Sequence, residues 1–464
     1  MSTDVSRRNF MKTASAAAGV MVATGFSPFS YAQNAQVVVG AIGTGGQGSY
    51  HLRDGLGRAK NIKVAAVCDV YKPHLDGGWK QAGGGDVKKY LDYREMLEKE
   101  QLDAVCIATP LHTHHAITMD CLDAGKHCFT EKTLCYEIEH CIDLVKKCRD
   151  TGLFVQVGHQ RRYNPMYNKA LKLARDEGVL GRINHIECQW HRNNDWRRPV
   201  NKKYQLSPEE AQWIKDLERH INWRLYREYS GGLMTELCTH QVDIAAWFLD
   251  AMPRRVYGYG GIDYWRDGRE VFDNVNIVYE FEVTPDNRGY RAINARNDFQ
   301  NRDAVNDPYI VPVVYSSICA NAMKGASELI KGDEGAFQLT EGGGLFFPEA
   351  TSKVKWADES VKDAEQANAT VITSGGTLNL SNRALKNAKE VAVDNDKSID
   401  QLQFEAFAHD VMSGGTPKAN QMVALRSAVM GLAGMKAMRE SCVVEIDPAW
   451  YTFDFETPDP SVYG

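Results

Sequence analysis

The sequence predicts an α/β protein in two parts: an N-terminal doubly wound parallel sheet, followed by an α+β domain with a large, mostly antiparallel open sheet. Two observations predict the first part. Short apolar runs alternate with helical patterns between residues 37 and 157, and glycines in G-x-G-x-x-G spacing follow the first run. A third observation predicts the second part, because the strand-like runs after Gly158 are longer and richer in β-branched and aromatic residues.

A glycine motif follows the first apolar run directly and reads Gly43-Thr44-Gly45-Gly46-Gln47-Gly48. Its first glycine permits a tight turn, its second lets backbone N–H groups approach a pyrophosphate, and its third lets the next helix pack closely. A second apolar run ends on Asp69, 21 residues after Gly48, at the distance expected of a carboxylate that binds ribose hydroxyls. The motif predicts a bound nicotinamide dinucleotide. Asp69 favours NAD, although nearby Lys72 leaves NADP open.

The apolar runs of the first part predict five buried strands. They lie at residues 37–42, 62–68, 104–108, 127–130 and 154–157. Helical patterns lie between them at residues 93–100, 115–124 and 137–149. Together with the glycine motif, this alternation predicts a Rossmann domain, to which we assign residues 33–158. Residues 159–464 are assigned to a C-terminal substrate and oligomerisation domain.

The C-terminal domain is expected to combine long strands with helices on one face. The strand-like segments are 183–190, 256–264 and 275–283. The helical patterns are 160–178, 233–249 and 401–439, the last broken near Gly414. Two polar stretches, 284–312 and 357–398, are predicted to be inserted surface loops.

The first 32 residues resemble a twin-arginine signal peptide. Arg7 and Arg8 are followed by a mildly apolar stretch over residues 13–29, and the small Ala32 fits a cleavage site. The stretch is too short and too rich in small residues for a convincing membrane span. We therefore expect a periplasmic protein, exported folded by the twin-arginine machinery with its cofactor tightly held and free of the membrane after cleavage.

Charge and cysteine usage exclude several classes of protein. The formal net charge of −6 does not suit binding to nucleic acid or to an anionic membrane. The 11 cysteines form no C-x-x-C pair, which favours buried reduced thiols over a metal site. His112, His114 and His115 form a cluster at the start of a helix, where packing around a cofactor loop is the expected role. We expect no bound metal.

Further motifs follow one another in order along the chain. They are Ala108-Thr109-Pro110, Ala124-Gly125-Lys126-His127, Glu131-Lys132-Thr133, Arg162-Tyr163-Asn164-Pro165 and the segment 231–243, which contains Glu236-x-x-x-His240. With the glycine motif and Asp69, they make the chain resemble the glucose–fructose oxidoreductase/inositol dehydrogenase family, known as Gfo/Idh/MocA. The resemblance spans nearly all of the chain after residue 32. Its motifs are specific to the family and not to a substrate.

The resemblance implies a catalytic lysine and a catalytic histidine. Lys132 occupies the position of the family's lysine beside the nicotinamide, and His240 that of its general acid/base. A histidine can take up a hydroxyl proton while hydride leaves the carbon, and an ammonium can stabilise charge developing on the oxygen. Glu236 is added to the catalytic set because, four residues before His240, it would share a helix face with it and either orient the imidazole or contact a sugar hydroxyl. Thr133 and Glu236 stand where the family usually has Pro and Asp.

The resemblance and the chain's composition also predict binding residues. The cofactor contacts beyond the glycine motif and Asp69 are Thr109, Pro110, His114, Glu131, Lys132 and Gln160. Residues 190–198 mix tryptophan with polar and charged side chains, as a sugar-binding wall does, although a core or a subunit interface would use the same tryptophans. The candidate substrate contacts are Tyr163, Trp190, His191, Arg192, Trp196, Arg197 and Asp243.

Three functions are open at this point. The first is an exported NAD(P)-dependent oxidoreductase that acts on a secondary hydroxyl of a sugar or sugar derivative. The second is redox-neutral glycoside cleavage through a keto-sugar, in which bound NAD returns the hydride. The third is a non-catalytic NAD-binding scaffold or sensor, against which the presence of both Lys132 and His240 argues. We further expect a carbohydrate as the small-molecule partner, no nucleic acid, and a homo-oligomer (dimer or tetramer).

Overall fold

The computed structural model describes residues 36–292, 307–349, 389–391, 393 and 395–453, and from Gln36 onward these belong to one unit. The predicted signal peptide and its cleavage site lie outside the described residues, as does much of the two predicted surface loops. Among the helices that are described, none has the length and hydropathy needed to cross a bilayer.

The first sheet has six parallel strands. They are β1 (Val37–Ile42), β2 (Ile62–Cys68), β3 (Lys88–Tyr90), β4 (Ala104–Ile107), β5 (His127–Thr130) and β6 (Val155–Val157). Their order is β3-β2-β1-β4-β5-β6, and every neighbouring pair is parallel. The predicted doubly wound sheet is confirmed. The sequence does not predict the edge strand β3, because its Lys-Lys-Tyr residues lack the apolar run that marks a buried strand.

Helices connect these strands. They are α1 (Gly46–Tyr50), α2 (Lys72–Gln81), α3 (Tyr93–Lys99), α4 (His114–Asp123) and α5 (Ile138–Thr151). A π-helical turn, His51–Gly55, continues α1. The helix α5 buries Cys141, Leu144, Val145 and Cys148 along one face and ends at Gly152 in the left-handed region, as predicted. All 11 cysteines are free thiols, and ten of them are buried.

The second sheet has nine strands. They are β7 (Ile183–His191), β8 (Pro253–Gly261), β9 (Asn274–Val283), β10 (Tyr309–Ile318), β11 (Ala326–Gly332), β12 (Gly335–Thr340), β13 (Gly343–Pro348), β14 (Lys389–Glu390) and β15 (Val444–Glu445). The order is β14-β13-β12-β11-β7-β10-β9-β8-β15. Neighbours are antiparallel except β7 and β10, so the predicted mostly antiparallel sheet is confirmed.

The prediction of two surface loops is wrong at the residues that form strands in the structure. Tyr309 and Val311 are buried in β10, although the predicted loop runs to residue 312. Two residues of the other predicted loop form β14. The strand β10 alternates buried and less buried residues and β14 is a pair of charged residues, so neither has the continuous apolar run that marks a buried strand.

The remaining helices are α6 (Pro165–Arg175), α7 (Glu210–Trp213), α8 (Leu217–Ile221), α9 (Thr239–Leu249), α10 (Ile399–Ser413) and α11 (Gln421–Glu440). A π-helical turn, Met234–Cys238, precedes α9, so the helix predicted over 233–249 has two geometries. The helix α11 packs against α5 of the first half and against α9 and β8 of the second, and so ties the halves together. On β8, Tyr257 and Tyr259 are exposed.

The helix α10 completes the core of the first sheet. Its Phe404 and Phe407 are fully buried among residues of that sheet, which include Val39 and Phe129. The ring centroids of Phe404 and Phe129 are 4.4 Å apart. The predicted boundary at residue 158 therefore separates the strands of the first sheet from part of the core that supports them.

Candidate cofactor-binding and active site

The glycine turn after β1 has geometry that only glycine accommodates. Gly43 has φ +84°, and a Cβ there would lie 2.7 Å from the carbonyl carbon of Ala108. A Cβ on Gly48 would lie 1.8 Å from the carbonyl oxygen of Gly43. The turn is therefore packed directly against the β4 loop and α1, and its backbone is open to a ligand on the other side.

A cavity of about 400 Å³ lies beside this turn. From the first half it is lined by Gly43, Gly45, Gly46, Gln47, Asp69, Thr109 and Pro110, all predicted cofactor contacts. From the second half it is lined by Arg198, Trp213, His220, Trp223 and Arg224, none of which the sequence predicts as cofactor contacts. The residues present fit a dinucleotide, since a backbone cradle that excludes side chains faces a carboxylate across one cavity.

Asp69 is held rigidly at the end of β2. Its Oδ2 accepts a hydrogen bond from the backbone N–H of Thr44 (2.8 Å), and its Oδ1 accepts one from that of Tyr71 (2.9 Å). An ionised carboxylate has further acceptor capacity, so ribose hydroxyls can still donate to it. The nearby Lys72 ammonium donates to Ser207 Oγ (3.0 Å) and to Glu209 (3.1 Å).

Glu131 belongs to a buried network that the sequence does not predict. Its Oε1 lies 2.7 Å from His51 Nε2, and His51 Nδ1 lies 3.5 Å from Asp400 Oδ1. Burial favours neutral His51, but hydrogen bonds to Asp400 and Glu131 outweigh it and raise the pKa of His51 to about 9. Burial likewise favours neutral Glu131, but the His51 hydrogen bond and charge lower its pKa to about 2. An imidazolium between two carboxylates thus fixes Glu131 at the end of β5. Gln47 also reaches this network, with Nε2 3.3 Å from His51 Nε2.

Thr133 connects the Lys132 loop to the segment that carries His240. The Lys132–Thr133 peptide bond is cis. Thr133 Oγ1 donates to the carbonyl of Thr235 (2.7 Å), and the Thr133 carbonyl lies 2.9 Å from His114 Nδ1. The other ring nitrogen of His114 lies 3.0 Å from the carbonyl of Thr109. His114 therefore links the loops after β4 and β5, both of which carry predicted cofactor contacts.

His240 is buried at the start of α9 beside Trp190 and His159, whose ring centroids lie 5.5 Å and 6.1 Å from its own. Burial, reinforced by the charges of Lys132 and Arg161, holds the pKa of His240 well below its usual value. Its Nδ1 is buried without a hydrogen-bond partner in the part of the chain described. The imidazole is therefore neutral near pH 7 and able to accept a proton.

Glu236 lies in the π-helical turn and has partners other than His240. Its Oε2 accepts from Arg224 Nε (3.1 Å), and its Oε1 accepts from Ser230 Oγ (3.1 Å). It is 3 % exposed. Glu236 does not orient His240 in the structure, because its carboxylate is hydrogen-bonded to Arg224 and Ser230 instead. Arg224 also lines the cofactor cavity, so Glu236 reaches that cavity through it.

The predicted substrate residues are dispersed. Trp190 is beside His240, whereas His191 Nε2 bonds Ser316 Oγ (2.9 Å). The Arg192 guanidinium lies 3.9 Å from the Trp196 ring centroid. Arg197 forms ion pairs with Glu218 and Asp267.

Two of the predicted substrate residues face elsewhere. Asp243 forms a buried, two-bond ion pair with Arg162 (2.8 and 2.9 Å) and lines a separate cavity. Tyr163 is buried, and its hydroxyl accepts from the backbone N–H of Ala419 (3.3 Å). The polar groups of both side chains are therefore bonded within the second half, to Arg162 and to Ala419. Gln160, predicted to contact the cofactor, donates to Glu341 (3.1 Å).

The three neighbouring histidines have different surroundings. His112 lines the cofactor cavity, His114 bonds two carbonyls, and His115 stacks on His140 with centroids 4.1 Å apart. Over the described ranges, no three His, Cys, Asp or Glu side chains are grouped to hold a metal ion.

Comparisons with known proteins agree with this architecture. Residues 37–159 match the model of the oxidoreductase family with an NAD-binding Rossmann fold, GFO_IDH_MocA, and residues 168–284 match the GFO/IDH/MocA C-terminal domain. The chain is 28 % identical over 228 residues to scyllo-inositol 2-dehydrogenase (NAD(+)) of Bacillus subtilis strain 168, covering 49 % of this chain and 58 % of that protein. Matches to the first curated relatives likewise span little more than half of their length.

Solved structures share the fold. An aldose-aldose oxidoreductase from Caulobacter crescentus, complexed with glycerol, superposes with a TM-score of 0.60 at 17 % identity, over 88 % of this chain and 99 % of that one. A levoglucosan dehydrogenase in complex with NADH and L-sorbose superposes with a TM-score of 0.62 at 15 % identity, over 89 % and 99 % of the two chains.

Proposed function

The chain belongs to the Gfo/Idh/MocA family of NAD-binding oxidoreductases, and from this premise we propose that it oxidises a secondary hydroxyl of a sugar or sugar derivative. One observation carries the proposal: neutral, buried His240 has an unpartnered ring nitrogen in the field of the Lys132 ammonium. The hydrogen bond from Thr133 to Thr235 joins the two loops that bear these residues. The inositol dehydrogenase relatives act on substrates of this class by name.

The cofactor of the proposed reaction is NAD, tightly held. It would lie on the glycine turn, with its ribose on Asp69 and its nicotinamide end near Glu131 and Lys132. When bound, it supplies the acceptor for a hydride. The preference for NAD over NADP is supported by Asp69, since its carboxylate suits ribose hydroxyls and would repel a 2′-phosphate.

Each residue of the proposed site has a defined task. His240 takes the hydroxyl proton, for which a neutral imidazole is required. Lys132 donates to the reacting oxygen and stabilises negative charge on it. Trp190, beside His240, offers a ring face to the sugar. The His51–Glu131–Asp400 network keeps Glu131 ionised and in place beneath the cofactor.

Export and assembly are also proposed. Export rests on the twin arginine, Arg7 and Arg8, and on Ala32 as the cleavage site, with a periplasmic destination. Assembly into a dimer or tetramer is supported by Tyr257 and Tyr259, which are exposed on the open face of the second sheet at 38 % and 58 %.

The first experiment identifies the dinucleotide and the net reaction. The full chain is purified without added cofactor, denatured, and any released dinucleotide is identified by mass. The native protein is then assayed with free sugars and glycosides while absorbance at 340 nm is followed. We expect bound NAD and reduction of dinucleotide by a free sugar or polyol. Sugar release from glycosides without any net absorbance change would replace the proposal with redox-neutral cleavage.

Variants at the two catalytic positions test the roles assigned to them. Lys132→Met and His240→Asn are each expected to lower kcat/KM at least ~100-fold, because a charge stabiliser or a proton acceptor is lost. Lys146→Met, at an exposed lysine on α5, is the matched control and should retain full activity. Full activity in both site variants would mean that the chemistry lies elsewhere, whereas a parent protein that binds NAD and turns over none of the substrates would be a scaffold.

A further inference from the structure

A segment of the second half crosses the cofactor cavity. This bridging segment, residues 195–225, lies between β7 and the π-helical turn and contains the short helices α7 and α8. It contributes Arg198, Trp213, His220, Trp223 and Arg224 to the cavity lining, opposite the glycine turn. The second half therefore forms one wall of the cofactor cavity in addition to the substrate region.

The bridging segment is attached to the first half by a buried carboxylate. Glu210 is fully buried and accepts hydrogen bonds from the backbone N–H of Lys72 (2.9 Å), the hydroxyl of Tyr204 (2.7 Å) and the backbone N–H of Ser207 (2.8 Å). The Tyr204 ring also meets the Tyr71 ring edge-on, with centroids 5.1 Å apart. These contacts attach the bridging segment to Tyr71 and Lys72, which follow Asp69 closely in the sequence. The segment therefore lies beside the end of the cavity that contains the Asp69 carboxylate.

Arg198 points from this segment at the glycine turn. Its Nη1 lies 2.6 Å from where a Cβ on Gly46 would be, so the guanidinium approaches the turn as closely as a glycine permits. Its backbone is fixed on both sides by Asn222, which accepts from the Arg198 N–H (2.7 Å) and donates to the Arg198 carbonyl (3.2 Å). No acceptor among the described residues bonds the guanidinium. The guanidinium is therefore a positively charged group held at the glycine turn, with no negatively charged partner in the described part of the chain.

We propose that Arg198 binds the pyrophosphate of the dinucleotide at the glycine turn, beside Gly46. The inference rests on the proposed function, because it assumes a dinucleotide in this cavity. A guanidinium presents paired donors that match phosphate oxygens, in addition to the backbone N–H groups of the turn. Arg224, the second cation of this wall, is already paired with Glu236 at 3.1 Å, which leaves Arg198 as the phosphate ligand.

The test separates pyrophosphate binding from the rest of the cavity. Full-length protein, Arg198→Met, Arg198→Lys and the control Lys202→Met, which removes an exposed charge from the same segment, are freed of dinucleotide with charcoal. Affinities for ADP and for adenosine are then measured by calorimetry. We expect Arg198→Met to weaken ADP binding about ten- to a hundredfold, from the loss of charge-assisted hydrogen bonds, with adenosine unchanged. Arg198→Lys should lie between, and Lys202→Met should match the parent.

Each other outcome overturns the proposal in a distinguishable way. Equal losses for ADP and adenosine would mean that Arg198 shapes the cavity without binding phosphate, and unchanged ADP affinity would mean that it binds nothing there. If the parent protein binds neither ADP nor NAD, the proposed function fails together with this inference. If the parent binds both and Arg198→Met is unaffected, only the inference fails.

Discussion

The two walls of the cofactor cavity are built on different principles. The wall from the first half is backbone, shaped by Gly43 and Gly48 at positions where a Cβ would meet a carbonyl group. The wall from the second half is made of long side chains on short helices, attached through Glu210. A side chain at either glycine would force the backbone of the first wall to move. The second depends on a few polar contacts, so it is where cofactor retention can be adjusted without disturbing the sheet.

The backbone wall should be the more sensitive of the two to substitution. Gly48→Ala is expected to abolish dinucleotide binding, with an affinity loss above ~100-fold, because its Cβ would lie 1.8 Å from the Gly43 carbonyl oxygen. Gly77→Ala in α2 is the matched control, since nothing lies within 4 Å of its added Cβ. Calorimetry with NAD, alongside a thermal unfolding scan, measures both effects. Normal NAD affinity in Gly48→Ala would show that the backbone wall tolerates movement.

The network under the first wall should make stability depend on pH. The pKa of His51 is raised from 6.5 to about 9, so its stabilisation is complete below pH 6.5 and is lost as pH rises through 9. The pKa of Glu131 is lowered from 4.5 to about 2, so its contribution is present above pH 4.5 and is lost toward pH 2. Between pH 6.5 and 9 the free energy of unfolding should fall by up to ~3 kcal/mol.

Urea unfolding at several pH values measures this slope. His51→Gln should flatten the decline between pH 6.5 and 9, whatever its effect on overall stability, whereas His409→Gln, at an exposed histidine, should leave the slope intact. A slope that persists in His51→Gln would assign it to another group.

Among these substitutions, one that loosens the side-chain wall should have the smallest effect on dinucleotide binding. Glu210→Ala removes the acceptor for three hydrogen bonds and should speed dinucleotide release by up to about tenfold, with the glycine turn unchanged. Glu209→Ala, which removes an exposed pair with Lys72 and an exposed hydrogen bond from Ser207 Oγ, should release the dinucleotide at the parent rate. Displacement of bound NADH by excess NAD, followed by fluorescence, gives the rates. Identical rates in both variants would show that the bridging segment does not retain the cofactor.

The contrast between the backbone wall and the side-chain wall also explains which features could be predicted from the sequence. The strands β1, β2 and β5, the glycine turn and Asp69 follow from local patterns, because apolar runs and short-range turn chemistry determine them. Lys132 and His240 were accessible only through the family resemblance. The partner of Glu236 was not predictable, since Arg224 reaches it through tertiary folding and no helical spacing indicates that pair.

Long-range pairs account for the other unpredicted residues. His51 stands beside the glycine motif, but its partners Glu131 and Asp400 come from remote parts of the chain. Arg198 is one of three arginines between residues 192 and 198, and nothing local distinguishes the one that meets Gly46. An unusual density of charged and aromatic residues was the only available signal, and we interpreted it as a sugar-binding wall, which stays a prediction.

The position of α10 has a consequence for biosynthesis. Phe404 and Phe407 fill the core under β1, and Asp400 on the same helix pairs with His51. The ribosome makes these residues after β1 and after fourteen of the fifteen strands described above. The sheet whose strands are made first is therefore completed late, and a nascent chain that stops short of residue 411 lacks part of the core beneath β1.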